Sequence, residues 1–302
     1  MLNFQKITPD MRPVLEPRLQ NLQKGCQYSF ANLFLWGRQR MTFVEDTLVL
    51  FSQFDRRAVY PFPVGTDELH SVLDAIIHDA RARGIPCCFT GMNAENKALL
   101  EQYYPGQFHF QCDRGSFDYV YNIDDLADLK GRKYQKKRNH LNRFQALFPH
   151  AYTTELSSAN LPAVREMAAQ WFRTREENDP MGNYVLEKVA LERAFDNYDA
   201  LGLEGLVLMD GDTVLAFAIA SRLSHDTMDI HFEKAREDAD GAYPAINRAF
   251  ARYLREKYPS IRYLDREEDM GIEGLRKAKL SYYPEFLIEK CWARLWEESD
   301  EH

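Results

Sequence analysis

Three stretches of this 302-residue chain concentrate side chains able to do chemistry. The densest is GRKYQKKRNHLNRF (131–144). Read as a helix, it sets Arg132, Lys136, His140 and Arg143 along one side at i, i+4, i+8 and i+11, with Lys133, Lys137 and Arg138 beside them. Crowding like charges in this way costs a few tenths of a kcal/mol per pair, so an isolated solvated helix gains nothing from it. One reading is a linker helix neutralised by acids elsewhere, with Asp124, Asp125 and Asp128 favouring its N-terminal end. The other is a site for a phosphate-bearing anion, held by Lys133, Lys136, Lys137 and Arg138.

The second stretch is DREEDMGIEGLRKAKLSYYP (265–284), in which acids crowd between a strand and a turn glycine. Such acids often cap a helix. Alternatively they form a polar rim at the carboxyl end of a sheet, where α/β proteins bind ligands, and Arg266, Asp269, Arg276 and Lys277 become candidate substrate-binding residues. The third is Asp229-Ile-His231-Phe-Glu233, whose alternation places three polar side chains on one strand face. An unpaired polar group in a core costs roughly 1–3 kcal/mol, so that strand is half exposed or lines a polar cleft. In a cleft, His231 or Glu233 is a candidate general base.

The elements that would position these groups follow from pattern. Apolar residues make up 45% of the chain and aromatics 13%, enough to fill two cores. In the first half, Ser29–Trp36 reads as a helix, Met41–Glu45 and Leu48–Phe51 as paired strands, and Val59–Val64, with its two prolines, as an edge or bent strand. Asp67–Arg83 reads as a helix capped by Asp67 and stopped by Gly84. Ile85–Thr90, helix Ala94–Tyr104 and strand Asp118–Ile123 complete that half. The second half reads as helices 161–177 and 186–198, then strands 205–209 and 214–222 joined by the hairpin signal Asp210-Gly211-Asp212. Strand 227–232, helix 243–258, strand 262–264, a helix near 272–280 and strand 285–292 follow. This order is that of a GNAT core, a mixed sheet flanked by helices, and the first half repeats a shorter version. The expectation is an α/β (α+β) protein of two GNAT-like lobes, 1–125 and 150–302, joined by a basic helix at 126–149.

Charge narrows the partners. Outside Leu129–Thr154, which holds seven basic residues and no acid, the chain carries 31 basic against 46 acidic residues. An acidic body with one basic segment fits a local anionic partner better than a general nucleic-acid coat. The N-terminus lacks the pattern of a secretory signal, and the apolar run at 206–223 is broken by Asp210 and Asp212, so no membrane span is expected and a cytoplasmic location fits. Five cysteines without a CxxC pair suggest neither a zinc site nor a disulfide framework, and no metal or bound cofactor is expected. HExxH, GxSxG, GxxxxGK[ST] and GxGxxG are all absent, which sets aside metalloprotease, serine hydrolase, P-loop and Rossmann chemistry. The last six residues, Glu297 to His302, read as disordered.

CQYSFANLFLW (26–36), YPFPVG (60–65), LKGRKYQKKRNHLNRF (129–144), IHFEKA (230–235) and REEDMGIEGLRKAK (266–279) together resemble the soluble members of the phosphatidylglycerol lysyltransferase C-terminal domain family. That family is similar to tandem-GNAT proteins and to the Fem-type aminoacyltransferases, and its best-known members move an amino acid from aminoacyl-tRNA to a lipid head group. The resemblance implies an acyl or aminoacyl transferase with aminoacyl-tRNA as donor, an amine or hydroxyl acceptor of unnamed identity, and tRNA or another phosphate-bearing ligand at the basic helix. By analogy with GNAT enzymes, Tyr282 or Tyr283 protonates the leaving group. Two other classes remain: a CoA-dependent N-acyltransferase, and a non-catalytic binding protein on the same scaffold. CoA enzymes of that fold hold pyrophosphate on a glycine-rich loop, whereas KAREDADGAYP (234–244) offers one glycine and three acids, making CoA the weaker donor candidate.

Overall fold

The computed structural model describes residues 1–20, 25–54, 57–65, 69–179 and 184–296. Its first half contains β1 (Gln5–Lys6), α1 (Arg12–Gln20), α2 (Phe30–Leu35), β2 (Gln39–Val44), β3 (Thr47–Phe54) and β4 (Arg57–Pro61). Then come α3 (Leu69–Arg83), β5 (Cys88–Met92), α4 (Ala94–Tyr103) and β6 (Phe108–Cys112). The middle holds β7 (Asp118–Asn122), α5 (Ile123–Asp128), α6 (Gln135–Leu147), β8 (Tyr152–Glu155), α7 (Leu161–Asn178) and α8 (Val185–Asp196). It closes with β9 (Glu204–Asp210), β10 (Thr213–Arg222), β11 (Thr227–Ala235), α9 (Ala242–Lys257), β12 (Tyr263–Asp265), α10 (Glu273–Leu280), β13 (Phe286–Ile288) and β14 (Cys291–Leu295). The cap expected at Asp67 and the disorder expected at 297–302 lie outside the described residues. No helix among the described residues is long and apolar enough to cross a membrane.

Two seven-stranded mixed sheets result, ordered β1-β2-β3-β4-β5-β14-β6 and β13-β7-β12-β11-β10-β9-β8. The fold is therefore the expected mixed α/β arrangement, with helices covering both sheets. Strand alternation sorts the cores. Leu48 and Leu50 of β3 join a central core with α1, α2, α7 and α8, while Val49 and Phe51 face the outer core under α3. In the second sheet Val207 and Met209 face that same central core, and Leu206 and Leu208 face α9. Helix α9 buries Ile246, Phe250, Ala251 and Leu254 against the sheet at helical spacing. One apolar layer is thus shared by both lobes.

The lobes also exchange strands. Strand 118–123 reads from sequence as the last of the first half, but β7 pairs with β12 and β13 in the second sheet. The stretch 285–292 reads as one strand; it is two, with β13 in the second sheet and β14 between β5 and β6 in the first. The break falls at Glu289-Lys290 because Lys290 turns into a buried ionic network between the lobes. A second correction concerns the cysteines. Cys112 and Cys291 stand opposite each other across β6 and β14, Cα atoms 4.2 Å apart, and form a disulfide spanning 179 residues of sequence.

Candidate functional site

Strands β11 and β12 run parallel and pair only from Thr227↔Tyr263 to Asp229↔Asp265. Beyond that point β11 continues to Ala235 beside β10 alone, so the sheet opens, and the four residues after β12 fan into the opening. Each takes a separate set of partners. Arg266 reaches Glu233, with Nη2 3.0 Å from Oε1. Glu267 meets His231 and Asn32. Glu268 pairs with Lys290 at 3.0 Å. Asp269 accepts from Nε and Nη2 of Arg276, at 2.7 and 3.0 Å, and from the Tyr119 hydroxyl at 2.6 Å. The loop holds Glu267 and Met270 at φ of 57° and 52°, a conformation that L residues rarely adopt and that surrounding contacts must enforce. The Lys279 ammonium supplies one such contact by donating to the Arg266 and Glu267 carbonyls.

His231 and Glu233 do not share a face. Ile219 of β10 pairs with Phe232 and Ala220 with Ile230, so His231 is the extra residue of a bulge that reverses the alternation. Asp229 and His231 consequently face the seam between the lobes, whereas Glu233 faces α9, where Asn247 donates to it at 3.0 Å. On that α9 side Glu233, Arg266, Tyr121, Tyr282 and Lys137 cluster. Arg266 sits over the rings of Tyr121 and Tyr282, 5.7 and 5.2 Å from their centroids, and Lys137 sits 3.7 Å over Tyr282. Burial, reinforced by the Arg266 charge, pushes Lys137 down to about 8. Burial raises the Tyr282 hydroxyl, so it keeps its proton at neutral pH. Arg266 Nη1 is buried with no hydrogen-bond partner among the described residues, which leaves one donor of the cluster unsatisfied.

The seam is different in character. Lys290 Nζ lies 2.7 Å from Asp118, 3.0 Å from Glu268 and 3.5 Å from the Cys26 sulfur. Burial, then Asp118, raises the Cys26 thiol well above its usual range; burial opposes the Lys290 charge, but its anionic neighbours restore it. His231 accepts or donates at Ser221 Oγ through Nε2 at 2.8 Å, and burial pushes it down to about 3, so it is neutral.

The other candidates are placed as follows. Tyr283 is half exposed and packs edge-on against Tyr134. Asp269 and Arg276 satisfy one another, and Lys277 pairs with Glu273 on the exposed face of α10. The basic segment opens with a short turn at Arg132–Tyr134 rather than one continuous helix. Lys133 pairs with Asp125, Arg143 with Asp240, and Arg138 donates to the carbonyls of Leu129 and Gly131. Lys136 is exposed, with no ion pair among the described residues. Asn32, Asp118, Asp265 and Lys290 went unread as site residues in the sequence, whereas Asp229 and Lys279 were read as polar groups beside a cleft. The REED run was the only local sign of the loop, and pairings such as Asp118 with Lys290, 172 residues apart, leave no spacing signature.

Comparison with known proteins bears on this geometry. Residues 20–294 match the family described as "Phosphatidylglycerol lysyltransferase, C-terminal". The uncharacterized protein MYCGA3080 of Mycoplasmoides gallisepticum is 27% identical over 179 residues, 58% of this chain, and the match spans only 55% of that protein. A conserved protein of unknown function from Bacteroides thetaiotaomicron has a similar structure, with a TM-score of 0.93, 36% identity and coverage of 98% of this chain and 100% of that one. The structure of L-PGS from Bacillus licheniformis matches with a TM-score of 0.69 at 15% identity, over 98% of this chain and 94% of that one. The fold recurs in FemX (0.63, 12% identity, 99% and 98% covered) and in a tandem GNAT protein from the clavulanic acid pathway (0.51, 7% identity, 99% and 100% covered). The chain belongs to the family of phosphatidylglycerol lysyltransferase C-terminal domains, a transferase family built on paired GNAT-like lobes.

Proposed function

We propose that this protein transfers an aminoacyl group from an aminoacyl-tRNA to an amine or hydroxyl acceptor at the cluster of polar side chains between β11 and α9. The observation that carries this reading is the convergence of Glu233, Arg266, Tyr282 and Lys137 where β11 and β12 part. In the reaction the acceptor attacks the ester carbonyl, Glu233 takes its proton, and the bond to the terminal ribose oxygen of the donor breaks. Tyr282, kept protonated, supplies the proton that this oxygen needs, while Arg266 Nη1 donates to the carbonyl oxygen as negative charge gathers there. Positioning donor and acceptor against these side chains accounts for much of the rate, because little else is required of the protein. Family membership supports the transfer chemistry, and the exposed Lys136 and Arg132 support a polyanionic donor.

One feature favours tRNA over CoA. The turn preceding α9 is where a GNAT enzyme would hold pyrophosphate, and here α6 packs onto it. A Cβ built on Gly241 would lie 2.7 Å from the His140 carbonyl and 2.8 Å from Phe144 Cβ. The nearby acids are already engaged, Glu237 by Arg175 and Asp240 by Arg143.

The test is discharge of radiolabelled aminoacyl-tRNA in the presence of candidate amines, hydroxyl compounds and lipid head groups, with Tyr282→Phe and Glu233→Gln as variants. Turnover by the parent, with kcat lowered about 100-fold or more in either variant and an unchanged melting temperature, is expected. A ligand at 100 times its Kd stabilises a fold by about 2.7 kcal/mol, so thermal shift with acetyl-CoA is a sensitive counter-test. Saturable CoA binding without affinity for tRNA would replace this reading with the CoA-dependent one. Binding of charged tRNA without discharge onto any acceptor would favour a binding protein.

A further inference from the structure

Two sets of potential ligand atoms lie in the seam between the lobes, and only one of them contains a cation of the protein. Cys26, Asp118 and Glu268 form the first set, and the Lys290 ammonium sits among them. Asp229, His231 and Glu267 form the second, with one ligand atom from each residue and all three within 4.8 Å of one another. Here His231 Nδ1 is 3.5 Å from Asp229 and 3.4 Å from Glu267. No lysine or arginine among the described residues forms an ion pair with either carboxylate. Lys279 is directed instead at backbone carbonyls.

Asp229 makes the case specific. It is fully buried, the Ser29 hydroxyl lies alongside it, and neither carboxylate oxygen has a hydrogen-bond partner of good geometry among the described residues. Its parallel-strand neighbour Asp265 likewise buries an Oδ2 with no partner. Polar atoms so deeply buried are normally satisfied, so these oxygens point to something bound between them. The imidazole is set for the same purpose: Ser221 Oγ, 2.8 Å from Nε2, can accept its proton and leave the Nδ1 lone pair facing the two carboxylates. Across the seam as a whole, Asp118, Asp229, Asp265, Glu267 and Glu268 face only the two ammoniums of Lys279 and Lys290.

We propose that Asp229, His231 and Glu267 bind a single divalent transition-metal ion, zinc or manganese, in the seam between the lobes. One imidazole nitrogen and two carboxylates suit these ions better than magnesium, which takes oxygen donors and keeps its waters. Three protein ligands leave a coordination position for water or a substrate oxygen. The site lies on the opposite face of β11 from Glu233 and does not depend on the transferase reading.

The intact protein, stripped with a chelator and then freed of it, is titrated with zinc chloride and separately with manganese chloride, followed by calorimetry and thermal unfolding. Binding of about one equivalent of at least one ion, with a raised melting temperature, is expected. Asp229→Asn and Glu267→Gln should each weaken that binding at least about tenfold. The same two variants should melt no lower than the parent when all three are metal-free, because each removes one carboxylate from a buried cluster that holds more carboxylates than ammoniums. Ser221→Ala, outside the ligand set, should weaken binding less than either. The proposal is overturned if neither ion binds, if binding is unchanged in both ligand variants, or if both variants melt below the parent without metal. It also fails if the seam takes a substrate amine instead, seen as saturable binding of methylamine to the metal-free protein when neither metal binds.

Discussion

Lys137 is the side chain whose charge can be followed most directly, because it lies against the Tyr282 ring and hydrogen-bonds Ser281 Oγ at 2.7 Å. In the folded protein it loses its proton near pH 8, against an ordinary value of 10.5 for an unfolded lysine. Between those limits the unfolded chain binds more protons, so this residue makes the protein gain stability as pH rises from 8 to 10.5. Below pH 8 lysine is charged in both states, and the full cost of burying that charge is felt. Lys137→Met removes the titration. Denaturant unfolding from pH 7 to 11 should show the parent improving relative to Lys137→Met across that window, and a constant difference would show that the ammonium is not desolvated. The same proton matters to turnover, since an ammonium over Tyr282 holds positive charge beside the proposed proton donor. If Tyr282 works there, Lys137→Met should lower kcat more than it raises KM, measured at pH 7.

At the level of elements, the contact between α6 and the start of α9 is the tightest test of the fold. Gly241 adopts φ +84°, and α6 leaves no room for a Cβ. Gly241→Ala should therefore destabilise the protein by about 1–3 kcal/mol, read as a lower urea midpoint at unchanged slope. An unchanged midpoint would mean that α6 is free to move off α9. Those helices were legible as such: the apolar spacing of Ile246, Phe250 and Leu254 and the turn at Asp210-Gly211-Asp212 specify α9 and the β9–β10 hairpin locally. The bulge at His231 was not legible, because Asp-Ile-His-Phe-Glu alternates perfectly and only pairing with β10 adds the extra residue. Helix α1, with Pro13 and Pro17 and only Leu15 and Leu19 buried, carries too weak a pattern to be read. The sites divide in the same way. Arg266, Glu233 and Tyr282 are found from short runs, but their division from His231 depends on a pairing made 10 residues away in sequence.

For the molecule as a whole, the Cys112–Cys291 disulfide joins β6 to β14 and closes the longest covalent loop of the described chain. Cross-linking so distant a pair restricts the unfolded chain, an effect of about 2–4 kcal/mol for typical bridges. Cys112→Ser should lower the melting temperature by several degrees, and a reductant should do the same to the parent and nothing to the variant. A parent insensitive to reductant would show the two thiols unbridged in solution. Strand β14 has a further consequence for how the protein is made. A ribosome releases the first sheet's β1 to β6 long before Cys291–Leu295, so β5 and β6 wait with unpaired edges while the entire second lobe is synthesised. Meanwhile β7, the first strand of the second sheet to emerge, waits for β12. Neither sheet can close until these later strands have been made. Until then the facing edges of β5 and β6 stay open to pairing with a strand of another chain, and in the finished protein β14 fills that gap.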